Sequence, residues 1–395
     1  MMRVLHITHY GGLYGANRSL LDLATGQRVR GVVPMVALGQ DGPLRDRLEA
    51  EGIACTVVPF TSWMDRRVYM GGPHHRLLQW WRFVRHRMRK EQQNDRAAHA
   101  IARWAVASGV DLVHAQSAAL GITARVAGLM GVPYVQHVRE LHREHYGYRI
   151  DGGEHRLARL LRGAAAVVVP STVLQDAVHA LTHGAVRAEV VPNGVVPRAR
   201  LENLPPQAAV RWRSTVPFRF LQLGLFHPAK GQVEAVEALA SLRSEGVDAR
   251  LVQAGGGDQR AVRSRIAALD LQATVDLPGF VEDPTILFEG AHVLLNCSRH
   301  EAFGRTTWEA MAQGLPVIAH ASGATPELVR HGHNGLLYRS PEELLAHMRM
   351  LARDPDMARR MGEEAFRTLP AAAGTEAMCE AVARLYCRIT GRSAP

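Results

Sequence analysis

The residues best suited to chemistry in this sequence are two glutamates, one lysine and two histidines. Glu301 and Glu309 stand eight positions apart in the stretch VLLNCSRHEAFGRTTWEAMAQGLPVIAHASGATPELVRHGHNGLLY, residues 293–338. Glu301 lies in the loop Glu301-Ala302-Phe303-Gly304, and Glu309 lies about one turn into the helix that follows. A small-residue loop that leaves a strand and opens a helix offers backbone N–H groups to an anion or a sugar hydroxyl. Glu309 also has a plainer reading, because Thr306-Thr307-Trp308-Glu309 fits the S/T-x-x-E capping box. Nothing around Glu301 asks for a cap. Only Lys90 and Lys230 are lysines, all other basic charge being arginine. Lys230 falls in Gly224-Leu-Phe-His-Pro-Ala-Lys230-Gly231, before a helix, where a diphosphate would be met; the alternative is a surface lysine. His114 and His137 end two strands, at the edge where open α/β sheets bind ligands, although a histidine there is more often structural.

The elements that must position these groups follow from apolar periodicity and turn signals. The 293–338 stretch reads strand, loop, helix, strand, the unit of a parallel sheet. Ahead of it, residues 3–9 read as a first strand, and the loop Tyr10-Gly11-Gly12-Leu13-Tyr14-Gly15 leads to a helix from Ser19. Its glycines miss the G-x-G-x-x-G spacing, and the plainer reading of Gly12 is a tight turn. Further strands are expected at 32–38, 54–60, 111–116, 132–138 and 165–169. Residues 74–107 are helical in pattern, with a break expected. A second series begins with the strand 218–223 and continues through Gly255-Gly256-Gly257-Asp258 and Val275-Asp-Leu-Pro-Gly279-Phe280-Val281. Taken alone, these glycine loops are αβ turns.

Composition bounds the answer. At 395 residues the chain can hold two domains of roughly 150–200 residues. A 47% hydrophobic and 21% charged makeup is that of a globular protein, and no apolar run approaches the roughly 20 residues that span a bilayer. The first residues read directly as a strand and not as a signal peptide. Cys55, Cys297, Cys379 and Cys387 have no metal-ligand spacing and suit a reducing compartment, so a cytoplasmic location is expected. The net charge of +10 reflects arginine usage, and no nucleic-acid module is present, so no nucleic-acid partner is expected. Asp354-Pro-Asp356, the one D-x-D, reads as a helix cap, and no metal or cofactor is expected. Residues 74–90, HHRLLQWWRFVRHRMRK, form a basic amphipathic segment with Leu77, Trp81, Val84 and Met88 on one stripe. It suits peripheral contact with an anionic membrane, or else packing on its own sheet with an arginine face in solvent.

The pattern E-A-F-G-(x4)-E-A-M-(x2)-G-x-P-V-I-A closely resembles the nucleotide-sugar signature of the family 4 retaining glycosyltransferases, which have the GT-B fold. The resemblance is strong over residues 219–340 and looser over 1–195, where Pro192-Asn193-Gly194-Val195 resembles the end of the family's first domain. It implies two doubly wound, Rossmann-like parallel-sheet domains facing a cleft. Their expected bounds are 1–196 for the acceptor side, 197–216 for a linker and 217–374 for nucleotide-sugar binding, with 375–395 a helix crossing back to the first domain. It further implies that Glu301 holds donor-sugar hydroxyls, Glu309 the ribose hydroxyls and Lys230 the diphosphate. His137 would sit at the sugar and Gly12 near the phosphate. Gly224, Gly255, Gly279 and Phe280 would line the nucleotide, and the amides of Phe303, Gly304, Arg305 and Thr306 would assist Lys230. His137, Lys230 and Glu301 are thus the expected catalytic groups. Two departures stand out. Val138 replaces the acid that usually follows the histidine, leaving Arg139 and Glu140 for acceptor contacts. Leu225 replaces an arginine that usually pairs with the lysine, so either Arg305 or Arg299 compensates or the donor is held less tightly.

The resemblance implies transfer of a sugar from a nucleoside-diphosphate sugar to a glycan, lipid-linked or small-molecule acceptor, without a metal. The rivals are a nucleotide-sugar-binding protein without turnover, for which Leu225 argues, a GT-B epimerase acting on a nucleotide sugar, and a glycogen-synthase-like polymer extender, for which no insertion speaks.

Overall fold

A computed structural model describes residues 1–65, 73–140, 142–143, 147–213 and 216–392, without the side chains of residues 65, 73–77 and 207. The chain divides into two compact units, Met1–Gly194 with Thr375–Pro395, and Val195–Gly374. Each is built on a parallel sheet.

In the first unit the strands are β1 (Met2–Thr8), β2 (Val32–Leu38), β3 (Ala54–Val57), β4 (Met64–Asp65), β5 (Leu112–Ala115), β6 (Tyr134–His137), β7 (Arg149–Ile150), β8 (Ala166–Val169) and β9 (Glu189–Val190). The seven-stranded sheet has the order β3-β2-β1-β5-β6-β8-β9, while β4 and β7 pair with each other antiparallel. The central strands are near-continuous apolar runs, as expected where both faces are covered. The Thr375–Thr390 helix packs in this unit's core, as the sequence predicted, placing Met378, Val382, Leu385 and Tyr386 with Val4, Leu112, Val135 and Val168. Close approach to the Gly15–Arg28 helix depends on Gly26, where a Cβ would come within 2.5 Å of the Cys379 sulfur.

The second unit repeats the plan with β10 (Phe218–Leu223), β11 (Ala249–Ala254), β12 (Val275–Gly279), β13 (Val293–Asn296), β14 (Val317–His320) and β15 (Gly335–Tyr338). Its order is β12-β11-β10-β13-β14-β15, every pair parallel. The crossovers carry the chain outward from β10 in one direction and then, from β13, in the other. The order therefore reverses between β10 and β13, and the loops leaving their carboxyl ends part around a crevice there. Residues 198–213, Pro-rich and Arg-rich in sequence, form short helical turns within this unit.

Two expectations need correction. The 74–107 region is one continuous helix, Pro73–Ala107, with no break. Nor is Glu309 a capping-box partner. The Arg305–Ala312 helix starts from Gly304 at φ 90°, and no side chain caps it. In contrast, Asp354 does cap a helix, accepting from the Met357 amide at 2.8 Å. No helix among the described residues is long and apolar enough to cross a membrane.

Gly255, at the carboxyl end of β11, has φ 154°, and a Cβ there would lie 1.8 Å from the Gly224 carbonyl oxygen. Neither backbone can yield without disturbing the loop that carries Lys230. Gly255→Ala is expected to destabilise the chain by about 2 kcal/mol or more, lowering the thermal midpoint by roughly 4 °C or more by calorimetry. An unchanged midpoint would show that this contact is not tight.

Candidate active site

The second unit gathers most of the predicted site at its order reversal. Lys230 comes from the loop after β10 and Glu301 from the loop after β13, and their Nζ and Oε2 atoms lie 2.8 Å apart. Both side chains are largely buried, at 16% and 14% exposure. At that depth the pair is less screened by water than a surface ion pair.

Three glutamines fix the lysine loop. Gln222 Nε2 donates to the Lys230 carbonyl at 2.8 Å, and Gln232 Nε2 donates to the Leu225 carbonyl at 2.9 Å. Gln253 Nε2 ties them together, donating to Gln222 Oε1 at 2.7 Å and to the Gln232 carbonyl at 2.8 Å. All three are buried. An unmade bond to such a group costs about 1–3 kcal/mol, so the bonds these amides donate define the loop's path, while Gln253 Oε1 is buried with no partner among the described residues. Sequence reasoning missed them. The available signal was a glutamine among the inward-facing apolar residues of β10 and of β11.

The Glu301 loop is braced from two sides. The Arg299 amide donates to the Ala229 carbonyl at 3.0 Å, and Gly231 approaches so closely that a Cβ would come within 2.6 Å of Cys297. From the other side, the Ala324 amide donates to the Glu301 carbonyl at 2.7 Å, and a Cβ on Gly323 would meet that same oxygen at 2.3 Å. His300 adopts a left-handed φ of 55°, with its amide donating to Ser322 Oγ at 2.9 Å. Such a conformation is costly for a residue other than glycine and aims the next residue, Glu301. The supporting loop 321–324 was the second omission, although its Ser322-Gly323 pair is a visible turn signal.

Glu309 stands one turn into the helix, its Oε1 accepting from Arg305 Nε at 3.2 Å. Phe303 is buried edge-on to Trp308, ring centroids 4.9 Å apart, which seats the helix start. Gly304 is the N-cap, and Thr306 lies in the first turn. Gly224 leaves β10, and the Gly255 amide donates to the Gly279 carbonyl at 2.7 Å, bringing the ends of β11 and β12 together. Phe280 follows with its ring half exposed. Leu225, where the family pattern has an arginine, is partly exposed. Arg299 sits near Glu234, 3.6 Å from its Oε2.

Gly12 and His137 belong to the first unit. Asn17 shapes the Gly12 loop, its Nδ2 donating to the Tyr10 and Gly12 carbonyls at 3.0 and 2.7 Å while its Oδ1 accepts from Thr8 at 2.8 Å. His137 is buried and stacks on His114 at 5.5 Å between ring centroids. Its ring nitrogens have no hydrogen-bond partner among the described residues. His6 neighbours His114, and its Nε2 lies 3.1 Å from Gln27 Oε1. Arg139 is buried, with Nη2 donating to Gln116 Oε1 at 2.9 Å and Nη1 bonded to Asn193 Oδ1. Glu140 accepts from Ser117 Oγ and from the Ala119 amide. Burial pushes its carboxyl upward. Burial likewise holds His6 down at about 4 and keeps His114 and His137 well below the usual histidine range, with the Arg139 charge adding to the effect.

Two family models divide the chain between them. "Glycosyl transferase 4-like domain" matches residues 14–194, and "Glycosyl transferases group 1" matches residues 212–368. The chain belongs to the group 1 glycosyl transferases. A GDP-mannose-dependent alpha-(1-6)-phosphatidylinositol dimannoside mannosyltransferase of Mycobacterium tuberculosis is 30% identical over 185 residues, 45% of this chain and 47% of the relative. A D-inositol 3-phosphate glycosyltransferase of Streptomyces coelicolor is 42% identical over 82 residues, 20% of this chain and 18% of that one. The match thus spans less than half the length of these relatives. In fold, this group 1 member is similar to Anabaena HepE in complex with UDP-glucose, with a TM-score of 0.78 at 22% identity over 98% of this chain and 100% of the other. It is also similar to a Thermosynechococcus elongatus sucrose-phosphate synthase, with a TM-score of 0.77 at 17% identity and full coverage of both chains. This is the GT-B fold, as the sequence predicted.

The histidine cluster has a measurable consequence. A histidine held below its unfolded value contributes stability that is complete above about pH 6.5 and lost as pH falls toward the folded value. For His6 the window runs from about 6.5 down to about 4. Thermal unfolding between pH 7 and pH 5 should show a loss on the order of 1–2 kcal/mol from this group alone, and His137→Phe should lessen the total slope. Stability unchanged across that range would mean that these histidines take up protons in the folded chain as they do in the unfolded one.

Proposed function

We propose that the chain is a retaining glycosyltransferase that moves a sugar from a nucleoside-diphosphate sugar to a glycan, lipid-linked or small-molecule acceptor. The observation carrying this reading is the 2.8 Å approach of Lys230 to Glu301. In a sugar diphosphate the sugar and the first phosphate share one bond, so the groups that hold them must themselves be neighbours. Glu301 accepts from sugar hydroxyls while Lys230 meets the phosphate, and Glu309, one helical turn on, takes the ribose hydroxyls.

As the glycosidic bond breaks, negative charge grows on the departing diphosphate. Lys230 and the amides opening the Arg305–Ala312 helix stabilise it in place of a divalent cation. Transfer should therefore persist in EDTA. The family resemblance adds His137 at the donor sugar and Gly12 near the phosphate.

One observation favours a second reading, a binding protein without turnover: Leu225 stands where a second diphosphate cation is usual. A donor panel separates the two. Purified protein with UDP-, GDP-, ADP- and dTDP-sugars should release nucleoside diphosphate from one donor, and Lys230→Ala should lower that rate by about 100-fold or more. Glu309→Ala should weaken donor binding. Retention is read from the anomeric configuration of the product by NMR. Donor binding with no release, acceptors supplied, would establish the second reading. Release without acceptor consumption, with the sugar epimerised, would establish an epimerase.

We further propose that the Pro73–Ala107 helix contacts an anionic membrane surface. Leu78, Trp80, Trp81 and Met88 are exposed, so packing against the unit's own sheet does not account for them. The side chains of 74–77, including Leu77, lie outside those described. The far end of the same helix buries Ala97, Ala98, Ile101 and Ala105. An apolar tip among arginines suits acidic lipid headgroups. Cosedimentation with phosphatidylglycerol-containing liposomes should be strong at low salt, weaker at high salt and reduced by Trp80→Ala/Trp81→Ala. Equal recovery with neutral and anionic liposomes would rule this out.

A further inference from the structure

We infer that the Arg305 side chain is a positioning residue for Glu309 and not a second diphosphate cation. This rests on the reading of Glu309 as the ribose-binding carboxylate.

Helix stability gives no reason for the pair. Arg305 is the first residue of its helix, where the unsatisfied N–H groups already concentrate positive charge and an acid is favoured over a base. No acidic residue occupies that first turn. The pair also runs arginine-to-glutamate toward the C-terminus, the weaker of the two i,i+4 orientations. Both side chains are only 12% exposed, so each has lost much of its hydration. The other i,i+4 pairs among the described residues differ: Arg359–Glu363 is 38% and 36% exposed, Arg45–Glu49 is 42% and 51% exposed, and Arg45–Asp41 is 42% and 65% exposed. A pair that opposes the helix dipole and gives up solvent is explained if the orientation of one partner matters.

The geometry names that partner. Arg305 Nε reaches Glu309 Oε1 at 3.2 Å, while Oε2 accepts no hydrogen bond among the described residues. One oxygen is thus anchored and the other is left for a hydroxyl donor. Without the anchor, no other hydrogen bond among the described residues fixes which carboxylate oxygen is presented. With its Nε turned to Glu309, the guanidinium takes its orientation from that carboxylate. Lys230 then carries the diphosphate with the helix amides.

The test uses ribose discrimination, which a diphosphate cation would not alter. Affinities of the full chain for UDP, GDP and ADP, and for their 2′-deoxy counterparts, are measured by calorimetry. The wild type should prefer the ribo form of the nucleotide it binds by about ten-fold. Arg305→Ala should remove most of that preference while leaving affinity for the deoxy form nearly unchanged, and Arg305→Lys should restore part of it. In a double-mutant cycle, Arg305→Ala should add little to Glu309→Ala, because one residue acts through the other. Thermal midpoints of every variant check that the fold persists.

Equal loss for ribo and deoxy forms in Arg305→Ala, additive with Glu309→Ala, would overturn the inference and make Arg305 a phosphate ligand. Ribose preference lost in Glu309→Ala yet intact in Arg305→Ala would also overturn it, leaving the site assignment standing. Preference intact in Glu309→Ala, or no binding of any of these nucleotides, would overturn the site assignment and the inference together.

Discussion

The reversal of strand order between β10 and β13 is the constraint on which the candidate site depends. A parallel sheet wound outward in both directions must part its loops at the point of reversal. Lys230 and Glu301 are far apart in sequence, and only this topology makes them neighbours. Their ion pair is therefore a consequence of the fold as much as of their chemistry. The glycines at 231, 255, 304 and 323 let the loop backbones approach one another or turn where a side chain would collide or strain. Substituting them would move the charged groups before it altered any ligand contact.

Much of this was legible in the sequence, for a physical reason. Buried parallel strands are apolar runs, and the glycine-bounded loops between them mark where each strand ends, so the two doubly wound units could be anticipated. The site residues were legible because Lys230 is one of only two lysines and Glu301 has no local capping role. What could not be read was the support. A glutamine in an apolar strand looks like a blemish until its amide is seen bonded to a distant carbonyl. Likewise, Thr306-Thr307-Trp308-Glu309 satisfies the spacing of a capping box, yet Gly304 begins the helix two residues too early for that bond. The competing interaction, Arg305 with Glu309, obeys the same helical spacing, and sequence spacing alone does not choose between them.

The first unit follows a different logic. Its polar interior groups, His6, His114, His137, Gln116 and Arg139, are buried together beside Tyr386 of the C-terminal helix, where His114 Nδ1 lies 2.5 Å from the tyrosine hydroxyl. A buried guanidinium held by neutral amide oxygens raises the cost of charging any histidine nearby. This cluster therefore keeps its imidazoles neutral near physiological pH, and a neutral imidazole can accept as well as donate a proton. The chain's last helix contributes to that environment although it lies more than two hundred residues from β6 in sequence.

The glutamine lattice under Lys230 carries one more implication. Carboxamides do not titrate, so the frame that sets the lysine loop keeps its geometry from acid to alkaline solution. The lysine it presents, and the glutamate paired with that lysine, are the ones that can change charge. Any response of ligand affinity to acidity would then report the ligand-facing groups themselves, with little contribution from a moving scaffold. The loop behaves as a fixed electrode holder: its position is set by neutral bonds, and its potential by the charges it carries.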